Sequence, residues 1–96
     1  DVAAPGVYIY STWKNSSSAS KPYPDCDDTG CYKYASGTSM ATPMVAGVAG
    51  LVWSTGYTSS TAVRTKIEST ADQITGTGTY WSKGRVNAAK AVAPLP

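Results

Sequence analysis

Residues 34–63 carry no charged side chain, and within them residues 40–53 are apolar on nearly every face. Ala41, Ala46, Gly47, Ala49 and Gly50 keep this run thin. A helix that is apolar all round is buried in a large core or in a membrane. A membrane span needs about 20 apolar residues. This run is shorter, so the expectation is a buried core helix and no membrane. Pro43 lies near its start, where proline costs least.

A helix wrapped on all sides needs elements around it, and the rest of the chain supplies few. The β-branched and aromatic run over residues 7–10 follows the Pro5-Gly6 turn and reads as a strand. Residues 60–71 open with a Ser/Thr cluster and set Val63 and Ile67 at helical spacing. Residues 85–92 follow Gly84, place Val86, Ala89 and Val92 three apart, and stop before Pro94, so they read as a short closing helix. Three helices and one strand do not bury the central run. The chain therefore reads as the C-terminal portion of a larger α/β domain, a class that often reaches roughly 200–250 residues. Residues 93–96 read as the exit from that domain.

The totals exclude some classes of function. A net charge of +2, with charged residues at only 15% of 96, leaves no nucleic-acid footprint. Small polar residues must cover much of the surface, as is common in secreted enzymes. The chain begins at Asp1, without a basic segment leading into an apolar run. The expectation is a processed product or a fragment.

Residues 11–33 read as irregular, with a surface loop over 14–33. It holds a Ser-rich patch at 15–20, Pro22, Pro24 and an acidic stretch between two cysteines. Long loops are uncommon unless functional or pinned. Cys26 and Cys31 are separated by Asp27, Asp28, Thr29 and Gly30. That spacing in a turn-rich loop suits a disulfide ring formed in an oxidising compartment, which points to secretion. Two cysteines without a histidine do not fill a zinc shell.

Gly37-Thr38-Ser39 sits directly before the apolar run and admits three readings. One is a plain helix N-cap. A second is a near miss to the nucleophile elbow of α/β-hydrolases, in which an acid and then a histidine follow the serine. The chain holds no histidine, and residues 32–35 make a poor strand in front of the serine. The third is a nucleophilic serine at the positive end of a helix, whose base comes from elsewhere.

The third reading is carried by a resemblance. Ser-Gly-Thr-Ser-Met-Ala-Thr-Pro-Met-Val-Ala-Gly, residues 36–47, resembles the active-site serine motif of the subtilisin-like serine proteases. The one departure is Met44, where many members carry a non-catalytic histidine. Residues 1–6 resemble the family's strand approach to the nucleophile loop, and residues 84–92 resemble its closing helix. Only the excursion over about 13–33 falls outside.

The resemblance implies a three-layer α/β fold with a mostly parallel sheet, of which residues 1–96 are the C-terminal part. It implies Ser39 as nucleophile and the Ser39 backbone N–H as an oxyanion donor, with Thr38 and Gly37 shaping the site. The catalytic Asp, the catalytic His and the oxyanion Asn belong to upstream segments, so the expected partners are that remainder of the domain and a polypeptide substrate. The 96 residues alone are expected to be inactive.

Asp25, Asp27 and Asp28 invite two further readings. Asp28-Thr29-Gly30 matches the core of an aspartic-protease loop, but those enzymes need two such loops sharing a proton. Asp25, Asp27 and Gly30 resemble the opening of a calcium loop, yet Ser36 stands where a bidentate glutamate belongs. The preferred reading is a solvated acidic turn, and the alternative is a looser structural calcium site in a non-catalytic, disulfide-looped module. The chemistry itself requires no cofactor. The aromatics Tyr8, Tyr10, Trp13, Tyr23, Tyr32 and Tyr34 are expected to pack the loop onto the body, with a substrate-binding edge as the alternative.

Overall fold

A computed structural model describes residues 1–15, 24–76, 78 and 81–94. The chain divides into two compact units, one of residues 1–4 with 41–96 and one of residues 5–40.

The first unit is helical. Helix α1, Thr38–Ser54, contributes all but its first turn; α2 is Ser60–Ser69 and α3 is Ala88–Val92. Ser59 opens α2, its hydroxyl accepting from the Ala62 amide at 3.1 Å. That satisfies one of the amides a helix start leaves without a partner. Asn87 does the same for α3 through the Lys90 amide. Val48 and Val52 of α1, Val63 and Ile67 of α2, and Ala91 of α3 form the buried core. Each helix pair is four residues apart, so each buries a single stripe.

Arg85 ties this unit together through its backbone. It pairs with Asp72 on one side and bridges to Ala3 on the other, where Ala3 donates to Gly84 and Val86 donates back to Ala3. Bridging starts the closing segment extended, so α3 begins at Ala88 rather than at 85 as the spacing suggested. Likewise α2 ends at Ser69, where Thr70 turns its amide and hydroxyl onto the Lys66 carbonyl.

The apolar run is helical as expected, and, as the shortage of surrounding elements implies, only Val48 and Val52 of α1 are buried among the described residues. Met44, Leu51 and Trp53 are exposed at 41–51%. The elements available here cover one stripe and no more. No helix among the described residues is long and apolar enough to cross a membrane.

The second unit is an antiparallel sheet of order β1-β3-β2, where β1 is Ile9–Thr12, β2 is Asp25–Asp27 and β3 is Gly30–Ala35. This corrects two expectations. The first strand lies two residues later than read, because Tyr8 has a positive φ of 51° and breaks the extended run. The stretch 24–35 is a hairpin, not irregular chain, and residues 32–35 form a proper strand leading to the serine. Its turn is built by Asp27, whose Oδ1 accepts from the Thr29 amide, the Thr29 hydroxyl and the Gly30 amide. Gly30, at φ 145°, takes the conformation a side chain resists. The sheet is antiparallel, so the mostly parallel sheet expected of the full domain is not among these strands. Ser16, Tyr23 and the residues between them, part of the proposed 14–33 loop, lie outside the described residues.

Candidate active site

Ser39 is the second residue of α1 and is exposed. In any α-helix the first amides have no intrahelical acceptor, and they carry the positive end of the dipole. No acidic side chain occupies the first turn of α1 to offset it. A hydroxyl placed here lies beside backbone donors suited to a developing negative charge.

Two residues set the approach. Gly37 has φ 147°, its amide donates to the Gly6 carbonyl at 2.7 Å, and its carbonyl accepts from the Met40 amide at 3.0 Å. A Cβ at Gly37 would meet only the Met40 sulfur and the Ser39 amide, both at 3.9 Å, so conformation rather than space requires glycine. Thr38 opens the helix between Gly37 and Ser39.

Sequence reasoning missed one further participant and placed another only roughly. The Ser36 hydroxyl accepts from the Tyr8 amide at 2.9 Å, which links the loop before Ser39 to the strained residue before β1. Nothing in the local spelling of residues 7–10 signals a positive φ at a tyrosine. Pro43 stands inside α1, not at its first position. Lacking an N–H, it cannot close the helical bond to the carbonyl four residues back, which is that of Ser39. The sequence reading put Pro43 near the helix start; α1 begins at Thr38, so the proline falls within its second turn.

The cysteine expectation holds. Cys26 and Cys31 face each other across β2 and β3 and form a disulfide. The acidic residues are spread along the hairpin. Asp25 and Asp27 lie on β2, and Asp28 lies in the turn. Hydrogen bonding from the Thr29 hydroxyl and nearby amides holds the Asp27 carboxyl below its usual range. Among the described residues no group of three or more His, Cys, Asp or Glu is gathered to hold a metal ion. Asp27 already spends an oxygen on three local donors, so the fit to calcium is poor.

Among the described aromatics, Tyr10, Tyr32 and Tyr34 pack on one another. Tyr10 and Tyr34 are directly paired across β1 and β3, with ring centroids 4.5 Å apart, and Tyr10 stacks near Tyr32 at 5.8 Å. Both Tyr10 and Tyr34 stay exposed, as does Tyr8. Trp13 lies instead under the Lys33 ammonium at 4.8 Å. A groove of about 520 Å³ runs along α1 and α2, lined by Val45, Ala49, Val63 and Ile67 among others, and does not include Ser39.

The family model described as "Peptidase_S8: Subtilase family" matches residues 1–90. Thermitase of Thermoactinomyces vulgaris is 59% identical over 92 residues, covering 96% of this chain and 28% of the relative. A thermophilic serine proteinase of Bacillus sp. (strain AK1) is 46% identical over 92 residues, 96% of this chain and 19% of its own length. Subtilisin of Bacillus pumilus is 42% identical over 88 residues, 91% of this chain and 26% of the relative. The chain thus spans less than a third of each of these relatives.

Proposed function

This chain belongs to the subtilase family, and from that premise we propose that it forms the nucleophile-bearing part of a secreted serine endopeptidase. The observation that supports this most directly is Ser39, exposed in the first turn of α1 behind a glycine in a left-handed conformation. The names of the relatives, thermitase, serine proteinase and subtilisin, agree with it.

In this reading Ser39 Oγ attacks the carbonyl carbon of a peptide bond. Its proton passes to a histidine supplied by another part of the domain, since this chain contains none. The carbonyl oxygen becomes an oxyanion beside the Ser39 N–H, and a side-chain amide from the same missing part donates alongside it. The protonated histidine then delivers its proton to the leaving amine, and water hydrolyses the acyl-enzyme. Gly37 and the loop bonded to Gly6 and Tyr8 orient Ser39 throughout. The acyl transfer needs no cofactor.

The remainder of the domain would also supply the mostly parallel sheet of a three-layer fold. That assignment gives the exposed apolar residues Met44, Leu51 and Trp53 of α1 something to pack against.

The test is covalent. A fluorophosphonate probe is expected to label the full-length protein at Ser39, seen by peptide mass, and to leave Ser39→Ala unlabelled. Turnover of a protein substrate should fall by about 10⁶ in that variant, the size already known for nucleophile removal in this family. The isolated 96 residues should not react. Normal proteolysis by the full-length Ser39→Ala protein overturns the proposal. Chelator-dependent melting of a chain with no labelling favours the calcium-module alternative instead.

A further inference from the structure

We propose that the sheet face bearing Tyr10, Tyr34, Asp25 and Asp27 is a docking surface for arginine-bearing stretches of the polypeptide substrate, a deepening that rests on the reading of Ser39 above.

The register defines the face. Residues paired across antiparallel strands point to the same side, and alternate residues along a strand share it. Tyr10 pairs with Tyr34, Thr12 and Asp25 both pair with Tyr32, and Asp27 follows Asp25 by two. One face therefore presents three tyrosines, a threonine and two carboxylates. The opposite face carries Cys26, Cys31 and Lys33, and Lys33 is drawn over the Trp13 ring there. Lys33 is the one cation on these strands, so charge is segregated: rings and carboxylates on one side, the ammonium on the other.

In this chain that face is exposed, and its carboxylates, unlike the bare apolar side of α1, suit it to stay exposed in the whole domain. Tyr10 and Tyr34 keep 47% and 58% of their surface exposed, and Asp25 and Asp27 are exposed as well. Hydrophobic rings left in water beside carboxylates match one ligand chemistry best. A guanidinium stacks on an aromatic face while its N–H groups reach a carboxylate. The carboxylates act at the rings themselves: after partial desolvation, the negative charge of Asp25 is the next cause that raises the Tyr10 phenol above its usual value.

The face is also close enough to serve substrate. Tyr34 precedes Ser39 by five residues, so their Cα atoms lie within about 18 Å whatever path the chain takes. An extended peptide covers that span with about six residues.

The experiment uses the full-length protein and two quenched fluorescent peptides with a common cleavage core. One carries an Arg-Arg pair about six residues from the scissile bond and the other a Glu-Glu pair. The expected ratio of kcat/KM, arginine over glutamate, is about tenfold at low salt, arises in KM, and shrinks as salt is raised. Tyr34→Ala and Asp25→Asn should each pull the ratio toward one, and Tyr34→Phe should retain most of it. A ratio near one in the parent protein, or a ratio that these variants leave untouched, overturns the proposal. Titration of both peptides into the Ser39→Ala protein separates this surface from the catalytic reading. Arginine-selective binding that needs Tyr34 upholds the surface even if Ser39→Ala remained active. Equal binding of both peptides to an inactive Ser39→Ala protein removes the surface alone. Binding of a neutral oligosaccharide through Tyr34, with none of the arginine peptide, overturns it in favour of a glycan.

Discussion

The Gly37 amide donates to the Gly6 carbonyl at 2.7 Å, tying the turn before Ser39 to the turn before β1. The neighbouring bond from the Tyr8 amide to the Ser36 hydroxyl doubles the connection. Residues 36 and 37 are thus held by backbone placed some thirty positions earlier, and on the proposed reading this clamp orients Ser39.

Gly37→Ala in the full-length protein tests this dependence. The new methyl meets no clash, but φ 147° is a conformation that alanine resists. The backbone should rotate, cost about 1–3 kcal/mol of stability, and shift Ser39. Small displacements at a reacting group cost up to about 10²-fold, so kcat should drop by about 10–10² with KM little changed. Steady-state kinetics alongside thermal melting check it; an unchanged kcat means the clamp does not position the serine.

Gly84→Ala should be worse for folding. Gly84 has φ 103°, and a Cβ there would be driven into the Asp72 carbonyl. The flanking bonds from Ala3 to Gly84 and between Asp72 and Arg85 leave that carbonyl no room to move. A loss of at least about 2 kcal/mol is expected, read as a lower midpoint in denaturant melts of the full-length protein. A midpoint matching the parent would show that the 72–85 pairing yields easily.

The helices were legible because their signals are local. Ser59 and Asn87 are good caps, and Val63 with Ile67 is a four-residue repeat that survives into the core. Ser39 at a helix start was legible for the same reason. The sheet was not. Its hairpin is shaped by Asp27 folding back on Thr29 and Gly30, and a run rich in turn residues reads as loop until the alternation of Tyr32 and Tyr34 is weighed against it. The bridge that delays α3 to Ala88 depends on Ala3, more than eighty residues away, and no window of local spacing contains it. The partial burial of α1 agrees with the reading that three helices and one strand do not cover it: apolar composition states what a helix needs, while cover depends on the elements present.

Breaking the disulfide should loosen the hairpin and little else. Cys26 and Cys31 close a short loop, for which chain entropy gives about 2 kcal/mol of stabilisation. In a Cys26→Ser, Cys31→Ser double variant, β3 amides should lose about 30-fold of hydrogen-exchange protection, while amides of α2 keep theirs. Equal protection in both forms would mean that the Asp27 turn suffices to hold the strands.

Asp72 should make the helical unit acid-sensitive. Its carboxylate accepts from Lys90 and from Asn87 at 2.8 Å, and Arg85 lies 3.6 Å away, so one side chain joins three points of the closing segment. The bond from Lys90, then that from Asn87, lowers its pKa in the folded protein. A carboxyl lowered on folding adds stability above its unfolded value, near about 4, and that stability disappears as pH falls through the folded value. The melting temperature of the full-length protein should therefore decline below about pH 4. Asp72→Asn keeps the shape but not the charge, so it should melt a few degrees lower at neutral pH and show a shallower acid decline. A variant whose pH profile runs parallel to the parent's would show that the closing segment is held by its backbone bridges alone, with the Asp72 charge contributing nothing.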